Sequence, residues 1–293
     1  MSIRTEPVMG TLVTIHVVGE CDPSALDRAF GWFREIEQRC TRFDAGSELM
    51  QLCSHTGEAV VVSPILFEAI RFAMLVASES AGAFDPTVGQ RMVARGFNRE
   101  HRTGLAVSFR NREQEVGSFR DIQVDPERRT ITLFRPLILD LSAVAKGLAI
   151  DMAAQELAAF KNFAIDAGGD LYFGGQNPRG EAWRVGIRHP RTDGLIATLH
   201  VSNEAVCTSG DYERFGANGE GHILDPHAGK PACEVASATV IAPNAMLADA
   251  LSTAAFVLGP ADGIHFLTRL GVEGLIITPT LEQHQTLGFR DAA

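Results

Sequence analysis

Asp249 and Thr253, one helical turn apart in Ala248-Asp-Ala-Leu-Ser-Thr253, are the first residues here whose types and spacing suit chemistry. On a helix they are i and i+4 and share a face. Their neighbours are Ala, Leu, Phe and Val, so the face is apolar, and burying an unpaired carboxylate is costly. No Lys or Arg lies within a turn. The pair therefore reads as hard oxygen donors for Mg²⁺, a cation that keeps open positions for phosphate oxygens. The spacing fits a plainer arrangement too, with Thr253 bonded back to its own helix and Asp249 capping another element.

Asp140-Leu-Ser-Ala-Val-Ala-Lys146-Gly147 ends a strand in an acid and opens a helix with Ser142 as cap. A lysine so early opposes the helix macrodipole, so an anion beside Lys146 is expected. Free N–H groups at the same helix start suit phosphate. A solvated surface lysine is the plain alternative. In His222-Ile-Leu-Asp-Pro-His227 a strand-like run carries a histidine into a Pro- and Gly-rich turn, where His222 can take a proton from a hydroxyl or serve only structure. Residues 82–89 (Gly-Ala-Phe-Asp-Pro-Thr-Val-Gly) and 208–212 (Thr-Ser-Gly-Asp-Tyr) read as polar connections and are weak alone. No GxSxG, HExxH or GxxxxGK[ST] occurs, and Gly168-Gly169 and Gly174-Gly175 do not make a GxGxxG opening a helix.

These groups sit in a chain of 293 residues with 45% hydrophobic and 21% charged residues, the composition of a globular protein rather than a fibrous or disordered one. Such a chain buries roughly three quarters of its unfolded surface and needs no disulfide or structural metal. The balance of 26 Lys plus Arg against 36 Asp plus Glu gives a net charge of −10. The densest basic stretch, 95–112, also carries Glu100, so no basic face for nucleic acid is expected. Five cysteines, none spaced CxxC, suggest neither a thiol-rich zinc site nor a redox pair. The most apolar long window, 235–261, holds Pro243 and Asp249, so no membrane span is expected. The first residues lack the apolar core of a signal peptide, and the sequence as given reads as cytoplasmic.

Strands are predicted at 11–18, 122–125, 130–134, 163–166, 171–173, 183–188, 196–201 and 236–242 from β-branched or alternating runs. Helices are predicted at 23–40 with Asp22 as cap, 64–80 with Ser63 as cap, 144–160, 245–258 and 261–270. Residues 98–123 read as loop and short elements. Strands joined by short turns, with helices between the groups, favour an α+β fold: an antiparallel or mixed sheet with flanking helices rather than a doubly wound one. Residues 1–293 read as a single domain, in one lobe or two.

In series, Pro7-Val-Met-Gly-Thr11, Arg42-Phe-Asp with Ser47-Glu-Leu, 82–89, 140–147 with Asp151, Asp166-Ala-Gly-Gly-Asp170, 208–212, 222–231 and 248–259 resemble the ApbE family of FAD:protein FMN transferases. The resemblance covers nearly the whole chain. It implies an α+β fold with a T-fold-related core. It also implies a Mg²⁺-dependent enzyme that splits FAD, places FMN on a Thr or Ser hydroxyl of an acceptor flavoprotein, and releases AMP. By the same resemblance the Asp249 carboxylate, the Thr253 hydroxyl and the Ala143 main-chain carbonyl hold the metal. FAD is expected to contact Met9, Phe43, Ala83, Phe84, Asp85, Asp140, Lys146, Ile223 and Ser252, and His222 to act as base. Phe43 stands where many members carry tyrosine, keeping a stacking face and losing the hydroxyl. Many members are exported lipoproteins. Two rival readings share these residues: a Mg²⁺-dependent FAD hydrolase giving FMN and AMP, and a flavin-binding protein without transfer activity, which has no use for a base beside a metal.

Overall fold

The computed structural model describes residues 2–98, 117–212 and 221–289. The chain opens with a hairpin of β1 (Ser2–Val8) and β2 (Thr11–Val17). Met9 and Gly10 turn it with φ of 53° and 70°, matching the twist of the paired strands. β1 was not anticipated, because only Val8 of its seven residues is buried and an edge strand needs little apolar alternation. α1 (Pro23–Cys40) starts at Asp22, whose carboxylate accepts the Ser24 N–H at 3.0 Å. α2 (Glu48–Cys53) and β3 (Ala59–Val61) are too short to carry a periodic signal. α3 (Pro64–Glu79) is capped by Ser63. After a 3-10 turn at Pro86–Val88 comes α4 (Gly89–Ala94). Most of the stretch read as loop, 99–116, lies outside the described residues; its end is a 3-10 turn, Phe119–Asp121.

The hairpin of β4 (Ile122–Asp125) and β5 (Thr130–Leu133) leads to α5 (Ser142–Leu157). Then follow β6 (Phe163–Ala167), β7 (Asp170–Gly174), β8 (Trp183–Arg188), β9 (Leu195–Val201), β10 (Glu204–Gly210), and the two-residue strands β11 (Leu224–Asp225) and β12 (Lys230–Pro231). β13 (Ser237–Ala242), α6 (Ala245–Leu258), α7 (Pro260–Arg269), β14 (Glu273–Ile277) and β15 (Gln283–Gln285) complete the described chain.

Eight strands form one sheet in the order β1-β2-β6-β7-β10-β13-β14-β15, and every described pairing is antiparallel. Alternation along its strands builds two cores. Ala205, Cys207, Ala238, Val240 and Ile276 face the helices, while Val206, Ile241, Leu275 and Ile277 face the β8–β9 ribbon. Strands covered on both sides are apolar without alternating, as β13 shows with all six residues buried. At the β6–β7 turn Gly168 has φ 68°, and a β-carbon there would collide with Thr11 Oγ1. Among the described residues no helix is long and apolar enough to cross a membrane.

Two contacts hold the elements that matter below. α5 packs between α1 and α6. At Gly147 the α6 backbone comes so close that a β-carbon would lie 2.5 Å from Ala245 O and Met246 Cα. Ahead of α5, Arg42 Nε donates to Asp140 Oδ2 at 2.7 Å, joining the end of α1 to the start of α5. Ser142 is not the cap expected. Leu141 holds that position without a side-chain bond, and Asp140 Oδ1 accepts the Ser142 N–H at 2.9 Å instead. An aspartate two residues upstream satisfies the free donor better than a serine already inside the helix.

Burial works against the Asp140 charge, but Arg42 and the Ser142 donors outweigh it and hold the carboxyl below its usual range. A carboxyl depressed by folding contributes stability above its unfolded pKa, lost as pH falls through the folded value. Asp140→Asn should lower Tm at pH 7, since it strands a buried guanidinium at a cost of about 3–5 kcal/mol. It should also flatten the fall of Tm below about pH 4, the ordinary carboxylate range. Thermal melts from neutral to acid pH measure both. Gly147→Ala should cost about 1–3 kcal/mol by overpacking the helix crossing; a Tm equal to that of the unmodified protein would show that α5 and α6 separate freely.

Candidate active site

One cavity of about 1070 Å³ opens between the sheet, the helix layer and the loops that close it. Its walls draw on separate parts of the chain. The β1–β2 turn supplies Met9, the segment after α1 supplies Arg42 and Phe43, and the connection after α3 supplies Ala83, Phe84 and Asp85. The approach to α5 and its first turns supply Asp140, Ala143 and Lys146; α6 supplies Asp249 and Thr253; His222 and Ile223 come from the segment before β11. Arg42 apart, these are twelve of the thirteen site residues singled out from the sequence. The thirteenth, Ser252, is fully buried behind the wall. Its hydroxyl donates to Asp249 O and lies 2.9 Å from Ser209 Oγ. Its place on the helix explains this, since the residue before Thr253 points about 100° away from it.

Asp249 and Thr253 do share one face, and Asp249 is 6% exposed. Thr253 Oγ1 lies 3.2 Å from Asp249 O and 3.1 Å from Ser209 Oγ. The back-bond foreseen in the plainer reading is thus present, and the hydroxyl oxygen still has acceptor capacity. Among the described residues no group of three His, Cys, Asp or Glu side chains could hold a metal. A cation here would rest on a mixed oxygen set of carboxylate, hydroxyl and the Ala143 carbonyl. That donor chemistry fits a hard, oxygen-seeking ion that retains water or ligand oxygens.

Two groups support α6 from beneath. Asn244 Oδ1 accepts the Leu247 N–H at 2.9 Å. Asp151 on α5 accepts Ala245 N–H at 2.7 Å and Met246 N–H at 3.0 Å. Burial pushes the Asp151 carboxyl up to about 6 against the pull of those donors, and the Asp249 charge adds to the push.

The anion expected beside Lys146 comes from the protein itself: its ammonium pairs with Asp170, which is 2% exposed. Lys146 remains part of the cavity wall. Two other acids expected to meet ligand are committed within the fold. Asp85 Oδ1 accepts from Thr87 N and Oγ1 at 2.8 and 2.7 Å, and its Oδ2 accepts from Phe119 N at 3.1 Å. Asp140 is held by Arg42 and Ser142 as above. Both line the cavity. Arg42 lies 4.1 Å over the Phe43 ring, and its Nη1 is buried without a hydrogen-bond partner.

His222 is half-buried and lies just before the β11–β12 ladder, so the strand expected to carry it begins only at Leu224. Ala232 N donates to Ile223 O at 3.0 Å. Arg91 donates to Pro226 O and ties the following turn to α4. Residues 208–210 are the end of β10 rather than a turn, which starts at Asp211. Thr208 Oγ1 meets Thr239 Oγ1 across the ladder at 2.8 Å, and that pairing overrides the turn character of small polar residues. Sequence reasoning missed Ser209, Asp170 and the β8 residues Val185 to Arg188 as parts of the site. The first two lay inside recognised motifs, whereas β8 gave no signal beyond its own alternation.

The family model described as the ApbE family matches residues 9–276. A curated relative from Treponema pallidum named FAD:protein FMN transferase is 32% identical over 322 residues, covering 98% of this chain and 87% of the relative. A relative of the same name from Vibrio cholerae is 29% identical, covering 98% and 89%. Among solved structures, the ApbE protein of Thermotoga maritima superposes with a TM-score of 0.86 at 29% identity, covering 98% of this chain and 97% of that one. A family model that runs from the first hairpin to β14 joins every segment that lines the cavity, and the chain belongs to the ApbE family.

Proposed function

We propose that this protein transfers the FMN half of FAD to a Thr or Ser hydroxyl of an acceptor protein, with Mg²⁺ bound by Asp249, Thr253 and the Ala143 carbonyl. The observation that carries the reading is convergence. One cavity collects an oxygen-donor set, a lysine at a helix start and a histidine, from elements spread between Met9 and Val257. That spread supports treating the chain as one functional unit. Its volume is at the top of the roughly 300–1,000 Å³ usual for small-molecule sites, which suits a dinucleotide. Relatives across most of the chain carry the name FAD:protein FMN transferase.

The acceptor oxygen forms a bond to the FMN-side phosphorus, the bond from that phosphorus to the AMP phosphate oxygen breaks, and AMP departs with the electron pair. His222 takes the proton of the acceptor hydroxyl as the new bond forms. Lys146 and the positive dipole end of α5 attract the pyrophosphate. Asp170 keeps the lysine ammonium at the wall while the site waits for substrate. Phe43, its ring covered on one side by Arg42, presents the other to a flavin or adenine ring. When bound, Mg²⁺ supplies Lewis-acid charge neutralisation at the phosphoryl oxygens. Ile223 and Phe84, both buried, give the cavity an apolar surface that is unfavourable to water, the competing nucleophile.

Incubating purified protein with FAD, Mg²⁺ and an acceptor domain should add one FMN to the acceptor by intact mass, release an equal amount of AMP, and stop on addition of EDTA. Free FMN and AMP without a mass gain would instead establish hydrolysis, and FAD binding with no product would leave a carrier. Asp249→Ala should abolish transfer and hydrolysis together. His222→Ala should slow transfer by roughly 10²–10⁴-fold, the usual worth of a general base, with FAD affinity kept. Transfer by that variant at the unmodified rate would remove His222 from the mechanism.

A further inference from the structure

The helix bearing Asp249 and Thr253 is gripped at its first turn by a residue outside the cavity wall. Asp151 accepts from Ala245 N with one carboxylate oxygen and from Met246 N with the other, at 2.7 and 3.0 Å. Such charge-assisted bonds are about twice as strong as neutral ones and fix direction as well as distance. Asp151 also stands one turn after Gly147, where the two backbones touch. Ala143, which lines the cavity, precedes Gly147 by the same interval. One side of α5 therefore carries a residue of the cavity wall, a contact point and a clamp. Asp249 follows Ala245 by one turn, so any slip of the first turn of α6 is delivered to the donor pair.

We infer that Asp151 is a positioning residue: by clamping the start of α6 to α5 it sets the spacing between Asp249 and Thr253 on one helix and the Ala143 carbonyl on the other. The inference rests on the cation reading of that donor set. Magnesium tolerates little departure from octahedral geometry at about 2.0–2.1 Å, so an affinity for it reports that spacing sensitively. Outer residues that hold metal ligands are typically worth 10–100-fold in affinity. Asn244 separates this role from ordinary capping. It bonds Leu247 N on the same helix end but belongs to the segment just before α6, and among the described residues its side chain bonds no group of α5.

The test is calorimetric titration of Mg²⁺ into metal-stripped protein, with FAD affinity in EDTA measured in parallel. Asp151→Asn should weaken Mg²⁺ binding by about 10–100-fold with FAD affinity in EDTA unchanged. Asp151→Glu, which keeps the charge and shifts it by one methylene, should weaken it as well and serves if the Asn variant does not fold. Asn244→Ala should lower Tm and leave Mg²⁺ affinity intact. Unaltered Mg²⁺ affinity in a folded Asp151 variant, or equal weakening by Asn244→Ala, would overturn the inference. Unaltered affinity in Asp249→Ala would overturn the cation reading itself, and the inference with it.

Discussion

At Gly147 the backbone of α6 occupies the space that a β-carbon of α5 would need. That closeness lets groups from two helices, nearly a hundred residues apart in sequence, share one cavity wall. Larger residues on α5, Leu148 and Ile150 among them, are buried in the same core, so the helix has no freedom to lean away. The sheet beneath completes the constraint. Ser209, near the end of β10, touches both Ser252 and Thr253 through its hydroxyl. Helix α5 and strand β10 thus fix α6 from two sides, and side chains on it inherit that rigidity.

Charge is the second constraint, because a protein of net charge −10 must present a cavity to an anionic pyrophosphate. Acids at or beside the cavity are largely committed to donors of the fold. Asp140 is bound by Arg42, Asp85 by Thr87 and the Phe119 N–H, and Asp170 by Lys146. Asp166 accepts the Gly169 N–H and closes its own turn. These bonds spread negative charge over nearby dipoles and cations instead of aiming it at the ligand. Asp249 lies on the face with Thr253, where a cation would reverse the local field.

Much of the framework was legible from local chemistry. Asp22 and Ser63 start α1 and α3 as their side-chain oxygens require, and α3 stops close to Gly82. What escaped was of two kinds. β1 lies at the sheet edge, and β10, β13 and β14 lie between two cores, so neither pattern gives the polar–apolar alternation of a half-buried strand. Only β13 was long and apolar enough to be found regardless. The reading of residues 208–210 as a turn failed because a cross-strand Thr208–Thr239 pair, invisible locally, outweighs the turn preference of small polar residues.

By itself the sequence determined which residue types are present and their order: a carboxylate and hydroxyl on one helical face, a lysine at a helix start, a histidine ahead of a turn, and a series of motifs that names the family. Tertiary structure decided how each is used. It handed Lys146 to Asp170, withdrew Ser252 behind the wall, replaced Ser142 as cap with Asp140, and gave Asp151 the first turn of α6. The physical reason is that hydrogen-bond partners are chosen by distance in space. Helical spacing fixes which side chains share a face, but what that face meets depends on contacts far apart along the chain.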